Sequence, residues 1–175
     1  GLSDAARRHV DHIAQSSLHL EQTVALLLSL AREQTSTEAG LSVPVLPLLE
    51  RVIVEQSPLL EHKPVEVQVE VPADVVATLP ATVLSILLSN LVGNAFAHTR
   101  DGRIVIDMED RTLRIANPGH GVREEDFAPF AKGADSHGFG LGLSIVRRLC
   151  ERHGIALRID GVSGQTVARL TLPAT

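Results

Sequence analysis

Residues 80 to 99, Pro-Ala-Thr-Val-Leu-Ser-Ile-Leu-Leu-Ser-Asn-Leu-Val-Gly-Asn-Ala-Phe-Ala-His-Thr, constrain the fold more than any other stretch of this chain. Leu84, Leu87 or Leu88, Leu91 and Ala95 recur at steps of three and four, which predicts a helix from about Ala81 with one face in a core. Pro80 suits its start, where a missing N–H costs nothing. Asn90, Asn94 and His98 recur every four residues and so form a row on a neighbouring face. Asn is a mediocre helix former and is costly to bury without partners. The row therefore either bonds to loops of its own fold or holds a polar ligand.

The flanking sequence supplies the layers such a helix needs. Leu41-Ser-Val-Pro-Val reads as a short strand, confined to an edge or an end by Pro44. Leu46 to about Leu60 reads as a helix that Pro58 ends or bends. Pro64-Val-Glu-Val-Gln-Val-Glu-Val alternates strictly, the pattern of a half-buried strand in an antiparallel or mixed sheet. After the central helix, Asp101-Gly102 and Glu109-Asp110 punctuate Arg103–Met108 and Thr112–Ala116, which predicts a hairpin. Leu141 to His153 repeats the helical pattern with Gly154 as its cap. Ile155–Asp160 and Gln165–Leu172 close the chain as a second hairpin. Mixed helices and hairpins predict an α+β domain, a two-layer sandwich of helices on a mixed sheet.

Ahead of this domain, residues 5 to about 34 read as one long helix. Val10, Ile13, Ser17, Leu20, Val24, Leu27 and Ala31 form a heptad seam. Leu26, Leu28 and Leu30 widen it, so this helix needs a bundle partner. Thr35 to Gly40 is small and polar, a linker. The division expected is 1–34 for the bundle helix, 35–40 for the linker and 41–175 for the sandwich domain.

Two glycine-rich segments follow the central helix. Gly138-Phe-Gly140-Leu-Gly142-Leu143 leads into a helix, where bare glycines let backbone N–H groups approach an anion. A packing turn is the other reading of that segment alone. It lacks the Gly-Lys-Ser/Thr of a P-loop and the preceding strand of a dinucleotide fingerprint. Asn117-Pro-Gly119-His-Gly121 opens a long irregular stretch through His137 that includes Phe127 and Phe130, a length typical of a binding loop or lid.

Composition removes several function classes. The chain has no Trp or Tyr, four Phe and a net charge of −5, which leaves little to stack on bases and opposes a phosphate backbone. No nucleic-acid partner is expected. Cys150 is the lone cysteine, so neither an internal disulfide nor a cysteine metal site can form. The His residues lack the HExxH spacing of a zinc site. No apolar run reads as long enough to span a bilayer.

In combination, Asn90-x3-Asn94-x3-His98, Asn117-x-Gly119-x-Gly121, Phe127-x2-Phe130 and Gly138-x-Gly140-Leu-Gly142-Leu resemble the N, G1, F and G2 boxes of sensor histidine kinases. These belong to the gyrase/Hsp90/histidine-kinase/MutL ATPase superfamily. The resemblance covers about residues 41–173 and implies a Bergerat-type sandwich that binds ATP and Mg²⁺. Leu20 to Arg32 resembles the second helix of that family's dimerisation and phosphotransfer hairpin. Residue by residue, the resemblance implies that Asn94 coordinates Mg²⁺, that Asn90 lies beside the phosphates and that His98 lines the pocket. Gly119 and Gly121 would pass the adenine, with Thr166 near its edge. Gly140 and Gly142 would cradle the phosphates, with Gly138, Leu141 and Leu143 in the same site and Lys132 offering positive charge. No catalytic residue carries over.

Two departures stand out. The G1 box usually begins with an Asp that accepts from the adenine amino group, and here that position is Asn117. A neutral acceptor in its place implies a loss on the order of 1 kcal/mol. A basic residue often precedes the pocket His, and here it is Ala97. The phosphoacceptor His and its acidic, Arg-Thr-Pro-like context do not occur; His9, His12 and His19 lack it. The acceptor is expected on a helix ahead of residue 1. The implied activity is that of a histidine protein kinase: Mg·ATP binding and transfer of the γ-phosphoryl group to a histidine of the same or a partner subunit. A response regulator is then the downstream partner, in a phosphorelay. The whole protein would be a homodimer, with this part the cytoplasmic portion of an inner-membrane sensor. Another ATPase or serine kinase of the superfamily, or a degenerate module that dimerises or binds partners without turnover, are the alternatives.

Overall fold

A computed structural model describes residues 42–119 and 142–173, together with Ser17, Leu20 and Val24. The chain enters through β1 (Ser42–Pro44) and α1 (Val45–Gln56), crosses β2 (Val65–Glu70) and β3 (Val76–Thr78), and reaches the central helix α2 (Ala81–His98). The hairpin β4 (Gly102–Glu109) and β5 (Thr112–Pro118) follows, then α3 (Gly142–His153) and the closing hairpin β6 (Ala156–Val162) and β7 (Gln165–Thr171).

Five strands form one mixed sheet in the order β2-β4-β5-β7-β6, while β1 pairs antiparallel with β3 in a two-stranded ribbon. Only β2 and β4 are parallel. A parallel pair needs a crossover, and the segment containing α2 supplies it. Register fixes which side chains line up. Val69, Ile106, Ile115, Ala168 and Ile159 form one row across all five strands, and Met108, Leu113, Leu170 and Leu157 form the next. Apart from Val69, exposed on the edge strand, both rows belong to the core cluster or lie at its margin, together with the buried faces of α1, α2 and α3. This is the mixed two-layer α/β sandwich expected.

Three details differ from the sequence pattern. The first helix stops at Gln56 and continues as a 3₁₀ turn, Ser57–Leu60. Pro58 has no N–H to continue the α ladder, and Ser57 Oγ donates to the Val54 carbonyl at 2.8 Å instead. Strand β3 escapes detection because its three residues are too few to show a period. Most informative is α2, which is buried almost all round rather than on one face: Val83, Leu84, Ile86, Leu87, Leu88, Leu91, Val92, Ala95 and Phe96 are all buried. It packs against α1, α3 and β5. By length and composition it could cross a membrane, contrary to the sequence expectation; its enclosure in the domain accounts for that apolarity.

The end of α2 is held by side chains. Thr99 Oγ1 donates to the Ala95 carbonyl at 2.6 Å. Lys63 Nζ donates to the carbonyls of Phe96 and Ala97 at 2.8 and 3.3 Å. Those carbonyls have no intrahelical partner, and a cation there also meets the negative helix end. Burial lowers the Lys63 pKa.

Of the long N-terminal helix, Ser17, Leu20 and Val24 are described: they are helical and exposed, Leu20 at 64% and Val24 at 49%. All three belong to the expected heptad seam. The rest of that helix and the linker lie outside the described residues.

Candidate functional site

Four polar side chains are buried among the described residues: Gln56, Asn90, Thr99 and Asn117. Thr99 caps α2. Gln56 presses on the same helix, because a Cβ at Gly93 would lie 3.2 Å from its Oε1. Gly93 thus lets α1 approach the turn between Asn90 and Asn94. The remaining two are the asparagines that begin the N-box row and the first glycine segment.

The N-box row runs from core to surface. Asn90 is 5% exposed, Asn94 is half-buried and His98 is exposed at the last position of α2. Asn90 Nδ2 donates to the Ile86 carbonyl, one turn back, at 2.8 Å. With its donor group so engaged, Asn90 has its oxygen left to offer. An amide oxygen repels phosphate oxygens but suits a hard cation or a water on one.

Asn117 is placed differently from expectation. It does not open a loop but lies inside β5, which continues through Pro118 because pairing with β7 runs that far. In that register Asn117 faces Thr166, and Thr166 faces Gly161 on β6. The apolar rows on the helix side of the sheet therefore end in a polar pair, on the strand against which α2 packs. Asn117 Nδ2 donates to the Pro118 carbonyl at 3.0 Å. Gly119 follows, its N–H donating to the Gly164 carbonyl at 3.0 Å. A Cβ at Gly119 would fall 2.5 Å from Thr166 Oγ1, so only glycine fits without displacing Thr166. Gly119 is bare because Thr166 packs directly on it.

Gly142 opens α3 and is buried, and Leu143 beside it is half-buried. Gly121, Lys132, Gly138, Gly140 and Leu141 lie outside the described residues, as do Phe127 and Phe130. The structure thus brings α2, the β5 end and Thr166 into one sandwich, and the phosphate-loop positions before Gly142 remain sequence assignments. Cys150 is buried on α3, and burial together with Glu151 pushes its pKa up to about 12. It stays a protonated thiol at neutral pH and is no nucleophile.

Three contributors escaped sequence reasoning. Gly93 within a helix was the signal for the close approach of Gln56. Neither Lys63, which holds α2 from across the domain, nor the Pro118 carbonyl, which orients Asn117, leaves any periodic trace.

Comparison with known proteins agrees with this fold. Residues 80–175 match the family described as Histidine kinase-, DNA gyrase B-, and HSP90-like ATPase. The mycobacterial sensor histidine kinase MprB superposes with a TM-score of 0.66 at 23% identity, over 77% of this chain and 97% of that one. The Acinetobacter baumannii histidine kinase AdeS gives 0.70 at 16% identity, over 98% and 85%. Full-length ShkA, in complex with AMPPNP, gives 0.61 at 26% identity and spans 100% of this chain and 41% of its own. No curated protein matches the chain.

Proposed function

Because the chain belongs to the family of histidine kinase-, DNA gyrase B- and HSP90-like ATPases, we propose that it binds Mg·ATP and donates the γ-phosphoryl group to a histidine of a sensor histidine kinase. One observation carries this reading. Asn90 and Asn117 are buried, each is anchored through Nδ2 to a main-chain carbonyl, and neither oxygen accepts a hydrogen bond among the described residues. Neither oxygen is among the sealed, unpartnered polar atoms of the described residues, so each stays open to a donor or cation that a ligand brings.

In this reading Asn117 and Thr166 meet the adenine edge, and Gly119 and Gly121 give the base room. The G2 segment Gly138-x-Gly140-Leu141-Gly142-Leu143, with Lys132, receives the phosphates through backbone N–H groups and positive charge. Asn94, half-buried between Asn90 and the exposed His98, is the metal ligand, and Asn90 supports it with a second amide oxygen. Mg²⁺, when bound, neutralises and aligns the phosphate oxygens. His98 closes the outer end of the row. Phosphoryl transfer is chiefly positioning and charge neutralisation, which an apolar-clad helix with a fixed polar row supplies.

Residues 1–34 then act as a helix of the dimerisation and phosphotransfer hairpin, with Leu20 and Val24 on a seam that takes a partner helix. Signalling to a response regulator, and a place in the cytoplasmic part of a membrane sensor, follow from the same reading.

The test is calorimetric titration with AMPPNP, with and without Mg²⁺, on the native chain and on Asn94→Ala. Binding strengthened by Mg²⁺ in the native chain and insensitive to it in Asn94→Ala is the expected result. Unchanged Mg²⁺ dependence in the variant removes Asn94 from the metal site. The neutral amide at 117 favours one alternative, a module of this fold that binds partners without turnover; no AMPPNP binding by folded protein would establish it.

A further inference from the structure

Asn117 sits where the helix-covered face of the sheet turns polar, and its orientation is set locally. Its Nδ2 donates to the carbonyl of the very next residue, Pro118, at 3.0 Å. Turning the amide end for end would set Oδ1 against that carbonyl oxygen, replacing a hydrogen bond with two facing acceptors. At 5% exposure there is little water to soften the exchange. The amide therefore presents Oδ1, unpaired among the described residues, beside Thr166, whose hydroxyl fills the place a side chain at Gly119 would take.

We infer that Asn117 makes this a purine site of low stringency: it accepts the exocyclic amino group of adenine through Oδ1, yet admits 6-oxopurine nucleotides that a carboxylate at the same place would repel. The inference rests on the nucleotide-site reading above. An ionised carboxylate has acceptors only, so the O6 of hypoxanthine would face a buried charge of the wrong sign. An amide carries both functions. Against O6 it can turn and donate Nδ2–H, giving up its bond to Pro118 and leaving Oδ1 facing that carbonyl. One neutral bond exchanged and one acceptor left unmatched change affinity by about five- to a hundredfold. Discrimination between adenine and hypoxanthine should be of that size, because the pin on the amide sets it.

The experiment is calorimetric titration of the full chain, and of Asn117→Asp, with ADP and with inosine diphosphate, which differ only at C6 and N1 of the base. Far-UV circular dichroism checks that each protein is folded. The native chain should bind the two diphosphates within about a hundredfold of each other. Asn117→Asp should bind ADP more tightly and inosine diphosphate more weakly, widening the ratio at least about tenfold further. A native ratio beyond about a hundredfold overturns the inference, whether or not the Asp variant folds. An equal ratio in both proteins, with ADP still bound, also overturns it and leaves the nucleotide reading intact. Failure of folded native chain to bind either diphosphate removes that reading and this inference together.

Discussion

The two faces of the five-stranded sheet handle polar groups in opposite ways. On the open face, charges pair with one another across strands. Arg114 forks onto Asp107 from the neighbouring strand, with Nε 2.8 Å from Oδ1. Arg103 meets Glu66 at 3.1 Å, and Arg169 meets Asp160 at 3.0 Å. Each of these three carboxylates finds its partner in another side chain. On the covered face the rows are apolar until Asn117 and Thr166. There the amide spends its donor on the backbone and leaves its acceptor unused, as Asn90 does on the helix above. A face that satisfies itself serves solubility and strand register. The covered face instead leaves one half of each amide unmatched among the described residues.

That contrast can be broken most forcefully at Ile115, which is 2% exposed in the row next to Asn117. Ile115→Ala should lower stability by about 2–5 kcal/mol in urea unfolding, because the rigid sheet and α2 collapse only partly into the space. A loss below about 1 kcal/mol would mean that the covered face is not the packed side. An intermediate effect is expected at Gly119. Gly119→Ala should cost about 1–3 kcal/mol by forcing Thr166 aside, and Thr166→Ala in the same chain should recover most of it. Additive losses in the double variant would show that the two residues do not collide. The smallest effect belongs to the open face. Arg114 and Asp107 are 39% and 16% exposed, so solvent and salt screen the pair despite its good geometry. Arg114→Ala should cost at most about 1 kcal/mol, shrink further in high salt and leave ADP affinity unaltered. A change in ADP affinity would end the distinction between a self-satisfied face and a ligand face.

Patterns of period two and period 3.6 made most of the architecture legible. The strict alternation from Val65 to Glu70, the two hairpins and α2 lie where the apolar spacing puts them, because burying one face of an element selects its period. The family was legible too, since its glycines and asparagines recur in short, ordered segments. The boundary at Asn117 was less so. Glycine-rich composition resembles a loop, but β7 offered a complete edge and drew Asn117 and Pro118 into the sheet. The three-residue β3 was invisible for want of length.

The sequence by itself determined which residues could form a helix or a strand, and that α2 would carry a polar row beside an apolar stripe. Tertiary structure decided what those residues do with their atoms. Lys63 clasps a helix end lying 33 residues further on, α2 became buried all round, and the strand order placed Thr166 opposite Asn117. The reason is physical: periodicity reports only which side of an element is dry. A hydrogen bond depends on distances of a few tenths of an ångström between groups far apart in the chain, and these exist only once the layers have packed.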